Sequence, residues 1–192
     1  MNSNKATKLL EFTDFLNLGR LIKRTICLKG DGKLENNFEH QYQLAMLSMF
    51  IIEREKLSID QGKCLKLALV HDLVENISGD PFFLRTEEEE LIKCRKEKEA
   101  SVSISKAFPE FESLKSMIEE FEMQETPESR FVKSLDKILP SINIYLEGGS
   151  SWRDKNITLD IIQNVKQKVS DPCIIEYFNE LLVLIANFHS KI

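Results

Sequence analysis

With 192 residues the chain has the length of one ordinary domain and is long enough to bury a sizeable core. Apolar residues at 42% and charged residues at 30% fit a globular protein, and a net charge of −5 excludes the broad basic face that nucleic-acid binding needs. Cys27, Cys64, Cys94 and Cys173 are widely spaced, form no C-x-x-C and read as reduced thiols. The N-terminus MNSNKATKLLEF has no signal-peptide pattern, and the longest apolar runs, such as LLVLIANF at 181–188, are too short to span a bilayer. A cytoplasmic protein with no membrane segment is therefore expected.

The pattern is helical along nearly the whole chain. Apolar positions from Leu9 to Ile26 recur close to a 3.6 period and predict a helix over 7–28, broken by the polar Gly-Asp-Gly at 30–32. A second helix is expected over 36–56. A third is expected over 60–77, with Ser58 and Asp60 as N-cap candidates and Gly79-Asp80-Pro81 as its end, followed by a loop to Arg85. Thr86 before EEEE caps a fourth, 87–107, because carboxylates suit the positive end of the helix dipole. Its charged middle, KCRKEKE, predicts a mostly solvated face. Helices over 110–123, 127–147, 157–169 and 172–188 follow, with Pro140 expected to kink the sixth and Gly148-Gly149 to end it. Strand signals are weak throughout. The expected fold is all-α, one helical bundle forming a single domain over 1–192.

Three of those helices carry polar side chains where apolar ones are expected. The chain has only three histidines, His40, His71 and His189. Taken singly, each fits a hydrogen-bonded core position. His40, however, lies on the polar side of an apolar helix, His71-Asp72 ends the next apolar run, and Asp136 is a lone carboxylate within FVKSLDKILPSI. Burying unpaired charge is costly, so these groups call for a partner. Two imidazoles and two carboxylates form a mixed N/O set suited to a divalent metal. Such an ion lowers the pKa of a bound water and polarises a phosphoryl group. Glu75 follows His71 by four residues and Asp72 by three, which places it on their helical face, within reach of such a water or a leaving oxygen.

The motif order H…HD…D resembles the HD-domain metal-dependent phosphohydrolases. Within them, ALVHDLVENISGD at 68–80, FEHQYQLAMLSM at 38–49 and ESRFVKSLDKI at 128–138 are similar to segments of the 5′-deoxynucleotidase branch, in the same order, over roughly residues 10–185. The resemblance implies His40, His71, Asp72 and Asp136 as metal ligands for one divalent ion, from among Mn, Co, Fe, Ni, Zn and Mg. It implies Glu75 and Asp80 as acidic residues of the site that assist the proton transfers. It implies a phosphate-contacting arginine after the first helix, for which Arg24 is the first candidate and Lys23 the second; Lys137 is a further candidate for holding the phosphate. It also implies a homodimer.

The activity implied is hydrolysis of a nucleoside 5′-monophosphate by attack of a metal-activated water. The alternatives are an HD hydrolase of a nucleoside triphosphate or signalling nucleotide, and a non-enzymatic metal-binding HD protein. The chain departs from the branch in having no tryptophan near Arg24. Its one tryptophan, Trp152, follows Gly148-Gly149 and reads as a loop or surface anchor. No histidine falls between His71 and His189, which favours one metal over two and leaves His189 outside the site.

Overall fold

The computed structural model describes residues 4–30, 32–80 and 86–189, the last without the side chain of His189. The architecture is all-α apart from one two-stranded antiparallel hairpin. The loop expected over 81–85, Asp31 in the 30–32 break, and the His189 side chain lie outside the described residues.

The first expected helix is divided. α1 spans Lys5–Asn17, a short 3₁₀ turn covers Leu18–Arg20, and β1 (Lys23–Cys27) pairs with β2 (Leu34–Asn36). The apolar period does run on to Ile26, but Thr25, Ile26 and Cys27 are β-branched or compact residues that suit a half-buried strand. Asn36 then caps α2 (Asn37–Glu55) through a capping box with Glu39. Asp60 caps the next helix by accepting from the Lys63 backbone N–H at 3.0 Å.

α3 (Gln61–Val70) is shorter than expected. Residues 71–74 form tight turns closed by bonds such as Leu73 N–H to Val70 C=O, and α4 (Glu75–Ser78) restarts the helix. α5 (Glu87–Ala107), α6 (Ser113–Met123) and α7 (Pro127–Glu147) follow the sequence pattern, with Thr86 and Thr126 as capping-box residues. α7 runs continuously through Pro140. Gly148 and Gly149 both take positive φ, at 97° and 74°, and turn the chain into the short α8 (Ser150–Asp154), which the sequence did not signal. α9 is only Leu159–Asn164, followed by a 3₁₀ turn over Val165–Lys168, and α10 is Pro172–His189.

α7 is the central element. It packs against α2, α3, α6, α10 and β1, and buries Phe131, Val132, Leu135, Ile138 and Leu139. The main core joins α2, α3, α7 and α10. A smaller core gathers Val70, Leu73 and Val74 against α5 and α6, with Phe12 of α1 packed edge-on to Phe108 and Phe15 tilted against it. Residues 70–74 thus serve both the smaller core and the polar centre beside it. Among the described residues no helix is long and apolar enough to cross a membrane, and all four cysteines are free thiols.

Candidate metal centre and substrate pocket

The fold brings His40 from α2, His71 and Asp72 from the turn after α3, and Asp136 from α7 to one point. His40 Nε2 lies 3.1 Å from Asp136 Oδ1 and 3.9 Å from Asp72 Oδ2; His71 Nε2 lies 3.1 Å from Asp72 Oδ2 and 3.8 Å from Asp136 Oδ1. The ligand atoms of His40, His71 and Asp72 all fall within 4.8 Å of one another. His71 donates its Nδ1–H to the Ala68 carbonyl at 3.0 Å. Its Nε2 faces carboxylate oxygens, buried and without a hydrogen-bond partner. An unpartnered imidazole nitrogen and two carboxylate oxygens converging on one point form a mixed N/O donor set, so the residues fit a divalent metal.

The charges around that point favour the same conclusion. His40 is fully buried, and both burial and the Arg24 guanidinium work against its proton, yet the Asp136 and Glu35 carboxylates beside it raise its pKa to about 9. Asp136 is buried, which alone would raise its pKa, but Lys137 and the two imidazoles hold it well below the carboxylate range. Asp72 is lowered in the same way: burial opposes the charge, and His71, Arg24 and His40 outweigh it. Surroundings that stabilise added positive charge on His40 also stabilise a metal. Pro140 contributes through its missing N–H, since the Asp136 carbonyl one turn earlier loses its usual helical donor.

Arg24 enters from β1. Its Nη1 is 2.8 Å from Asp72 Oδ2 and 3.9 Å from Glu75 Oε2, and its Nε is 3.3 Å from Glu35 Oε2. Burial would lower its pKa, but Asp72, Asp136, Asp80 and Glu75 together raise it. Lys23, the other candidate on the strand, is exposed and is not among the residues that line the pocket. Glu75 is buried and accepts from Asn37 Nδ2 at 3.1 Å. Burial and the nearby Asp72 and Asp80 charges push its carboxyl well above the usual carboxylate range. Asp80 lines the same pocket and is also raised, chiefly by burial. Lys137 Nζ is 2.9 Å from Asp136 Oδ2.

Two further residues belong to this site, and little in the pattern of residues marks either. Glu35 is completely buried behind it. Its carboxylate faces Arg24 Nε, His40 Nδ1 at 3.5 Å and Asn143 Nδ2 at 3.1 Å. It stands on the short β2, where no period marks it; an acidic residue just before a helix cap is the only hint. Trp152 was expected at the surface. It is 2% exposed and lines the pocket, because the two left-handed glycines fold α8 back onto the core.

Beside the cluster lies a pocket of about 210 Å³. At one end are Arg24, His71, Asp72, Glu75, Asp80 and Asp136; Lys93 and Glu97 of α5 also face it, so that helix is not wholly solvated.

The family model for the HD domain matches residues 18–175. The chain belongs to the HD domain family. It is 36% identical over 146 residues to the 5′-deoxynucleotidase hdd1 of Schizosaccharomyces pombe, covering 71% of each chain. It is 34% identical over 137 residues to the human 5′-deoxynucleotidase HDDC2, covering 69% of this chain and 64% of that protein. The crystal structure of a predicted metal-dependent phosphohydrolase from Magnetospirillum magnetotacticum superimposes with a TM-score of 0.82 at 20% identity, over 96% of this chain and 97% of that one. That likeness confirms the helical HD fold.

Proposed function

We propose that this HD protein is a phosphoric monoester hydrolase acting on nucleoside 5′-monophosphates, with deoxynucleotides as its first substrates. The observation that carries this reading is the convergence of His40, His71, Asp72 and Asp136 beside Arg24 and Glu75 in one pocket. The curated relatives described above carry the name 5′-deoxynucleotidase.

One divalent ion held by His40, His71, Asp72 and Asp136 would supply Lewis acidity to a water and to the phosphoryl oxygens. The chain's own residues do the rest. Arg24 and Lys137 carry the positive charge that binds and orients the phosphate dianion. Glu35 holds Arg24 and His40 in place from behind. Glu75, whose carboxyl is raised by burial and by Asp72 and Asp80, is placed to give a proton to the departing 5′-oxygen, with Asn37 Nδ2 hydrogen-bonded to it. Asp80 is the second carboxyl that can take or return a proton. Positioning and charge neutralisation are the main sources of rate. At the pocket wall, Lys93 pairs with Glu97 at 2.6 Å and Lys133 with Glu122 at 2.7 Å. Those lysines therefore add little net charge for a polyphosphate, which favours a monophosphate over the triphosphate alternative.

The test is phosphate release from a panel of ribo- and deoxyribonucleoside monophosphates. Metal-stripped protein is supplied in turn with Mn, Co, Fe, Ni, Zn and Mg, and His71→Ala is the control. Metal-dependent release that the variant loses supports the reading; no release with any metal, despite a bound ion, overturns it.

We further infer a homodimer in the cytoplasm. Phe38, Tyr42, Met46 and Phe50 recur every four residues on the exposed face of α2 and form an apolar stripe that a second copy would cover. Four free thiols suit a reducing compartment. Sedimentation of the wild type against Tyr42→Glu tests the dimer: an unchanged assembly would remove α2 as its interface.

A further inference from the structure

The pocket has a second end that the hydrolytic chemistry does not use. On α7 its lining runs from Asp136 and Lys137 through Pro140 and Ser141 to Ile144. At the helical rise these eight steps cover about 12 Å, much longer than a phosphate group. On β1, Ile26 lies two residues beyond Arg24, on the same side of the strand. Both elements that carry the charged end therefore continue into an apolar one. Trp152 of α8, Ile157, Ile161 of α9 and Val165 close it. The uncharged polar groups beside this lining are Thr25, Ser141 and Ser151, and the Ser151 hydroxyl is already engaged by the Cys27 N–H at 3.4 Å. The exposed Lys155 and Lys168 bound this end toward solvent.

The geometry points to this apolar cleft, formed by Ile26, Ile144, Trp152, Ile157, Ile161 and Val165, as the site that receives the nucleobase of the substrate. The inference rests on the nucleotidase reading for its orientation, because Arg24 and the ligand cluster fix where the phosphate lies. A phosphate held there directs its ester group along α7, and a flat, largely apolar ring is the part of a nucleotide that an aliphatic wall with one indole can take up. Binding remote from the reacting phosphorus then comes from displaced water on these side chains, and from few directed hydrogen bonds.

The cleft can be tested apart from the chemistry, because Trp152 is the only tryptophan in the chain and its emission reports on the cleft alone. The metal-loaded protein is titrated with a deoxynucleoside lacking phosphate and, separately, with deoxyribose 5-phosphate lacking a base. The expected result is a saturable change in Trp152 emission with the nucleoside and none with the sugar phosphate. Ile161→Phe and Val165→Phe narrow the cleft from two different elements, and melting curves show that each is folded. Each should weaken nucleoside binding and raise the nucleotide KM by about tenfold while kcat for the nucleotide and kcat/KM for deoxyribose 5-phosphate stay near the wild-type values.

Equal sensitivity of the two substrates to the folded variants would overturn the base site, as would a sugar phosphate that moves Trp152 as far as the nucleoside does. A wild type that releases no phosphate but binds the nucleoside saturably would sink the nucleotidase reading and leave the cleft standing. Efficient hydrolysis with no nucleoside response would do the reverse.

Discussion

Two charged clusters in this molecule use the same residue types and are built in opposite ways. At the junction of α3, α6 and α7, Lys63 Nζ reaches Glu120 at 2.6 Å and Glu128 at 3.4 Å. Glu120 also accepts from the Thr126 hydroxyl at 2.6 Å and Glu128 from the Asp60 N–H at 3.1 Å. Each carboxylate has a donor besides Lys63, and the partly exposed groups hold helix ends together. Around His40 the carboxylates of Glu35, Asp72, Glu75, Asp80 and Asp136 outnumber the permanent cations Arg24 and Lys137. Glu35 Oε2, His40 Nδ1 and His71 Nε2 are buried there without a well-formed hydrogen bond. A cluster kept for stability closes its own bonds, whereas this one is left incomplete and negative in the interior, where charge costs most. Its deficit of positive charge matches a divalent cation.

Removing a ligand should break that comparison most sharply. Asp72→Ala and His71→Ala are each expected to lower metal-dependent phosphate release by roughly three orders of magnitude. Bound metal, measured by elemental analysis after gel filtration, should fall with it. A variant that kept both metal and turnover would show that the cluster is not the metal centre.

Glu75→Gln sharpens the contrast between function and stability. The amide keeps an oxygen for Asn37 Nδ2 but cannot give up a proton as an acid, so kcat should drop by about 100-fold or more. The same change removes a carboxyl buried near two others, and the metal-free protein should melt no lower than wild type. A loss of both activity and thermal stability would mean that Glu75 is a structural residue. Glu35→Gln acts one step further back. It keeps one acceptor oxygen, toward either Arg24 or His40, and loses the charge, and metal affinity measured by calorimetry should weaken by about 10- to 100-fold. Unchanged affinity would reduce Glu35 to a space-filling role.

The parts of the molecule that were legible in the sequence are those where one physical rule acts alone. α2, α5, α6, α7 and α10 have long apolar periods with caps at Asn36, Thr86 and Thr126, and their spans were predicted closely. His40, His71, Asp72 and Asp136 stood out because polar groups interrupt apolar faces. Where two rules compete, the sequence misleads. Residues 23–27 satisfy a helical period, but the five-residue strand wins by pairing with β2 and carrying Arg24 inward. Residues 71–74 continue an apolar run, yet tight turns there present His71 and Asp72 together at the cluster. Glu35 lies in a three-residue strand, too short for any pattern. Trp152 follows two glycines that signal a turn, and only the tertiary fold shows that the turn points inward: a Cβ on Gly149 would stand 2.6 Å from Phe188, which also packs against Trp152.

The smallest effect is expected at the closed cluster, and its pH dependence distinguishes the two designs. Lys63 is raised above its ordinary 10.5, first by its hydrogen bond to Glu120. Glu120 and Glu128 are lowered from their ordinary 4.5: burial opposes the charge, and the bonds to Lys63, Thr126 and the Asp60 N–H overcome it. A carboxylate with a lowered folded pKa stabilises the fold above its unfolded value and loses that contribution as pH falls through the folded value. The raised lysine contributes fully below 10.5 and loses its contribution as pH rises through its folded value. Lys63→Ala should therefore cost about 0.5–1 kcal/mol near neutrality, discounted for solvent exposure and reduced by salt. Its melting curve should approach that of wild type as the pH falls below 4.5. Phosphate release should be unaffected at neutral pH, since none of these groups lines the pocket. A loss of turnover in Lys63→Ala would mean that the α3–α6–α7 junction also positions His71, and that the two clusters are not independent.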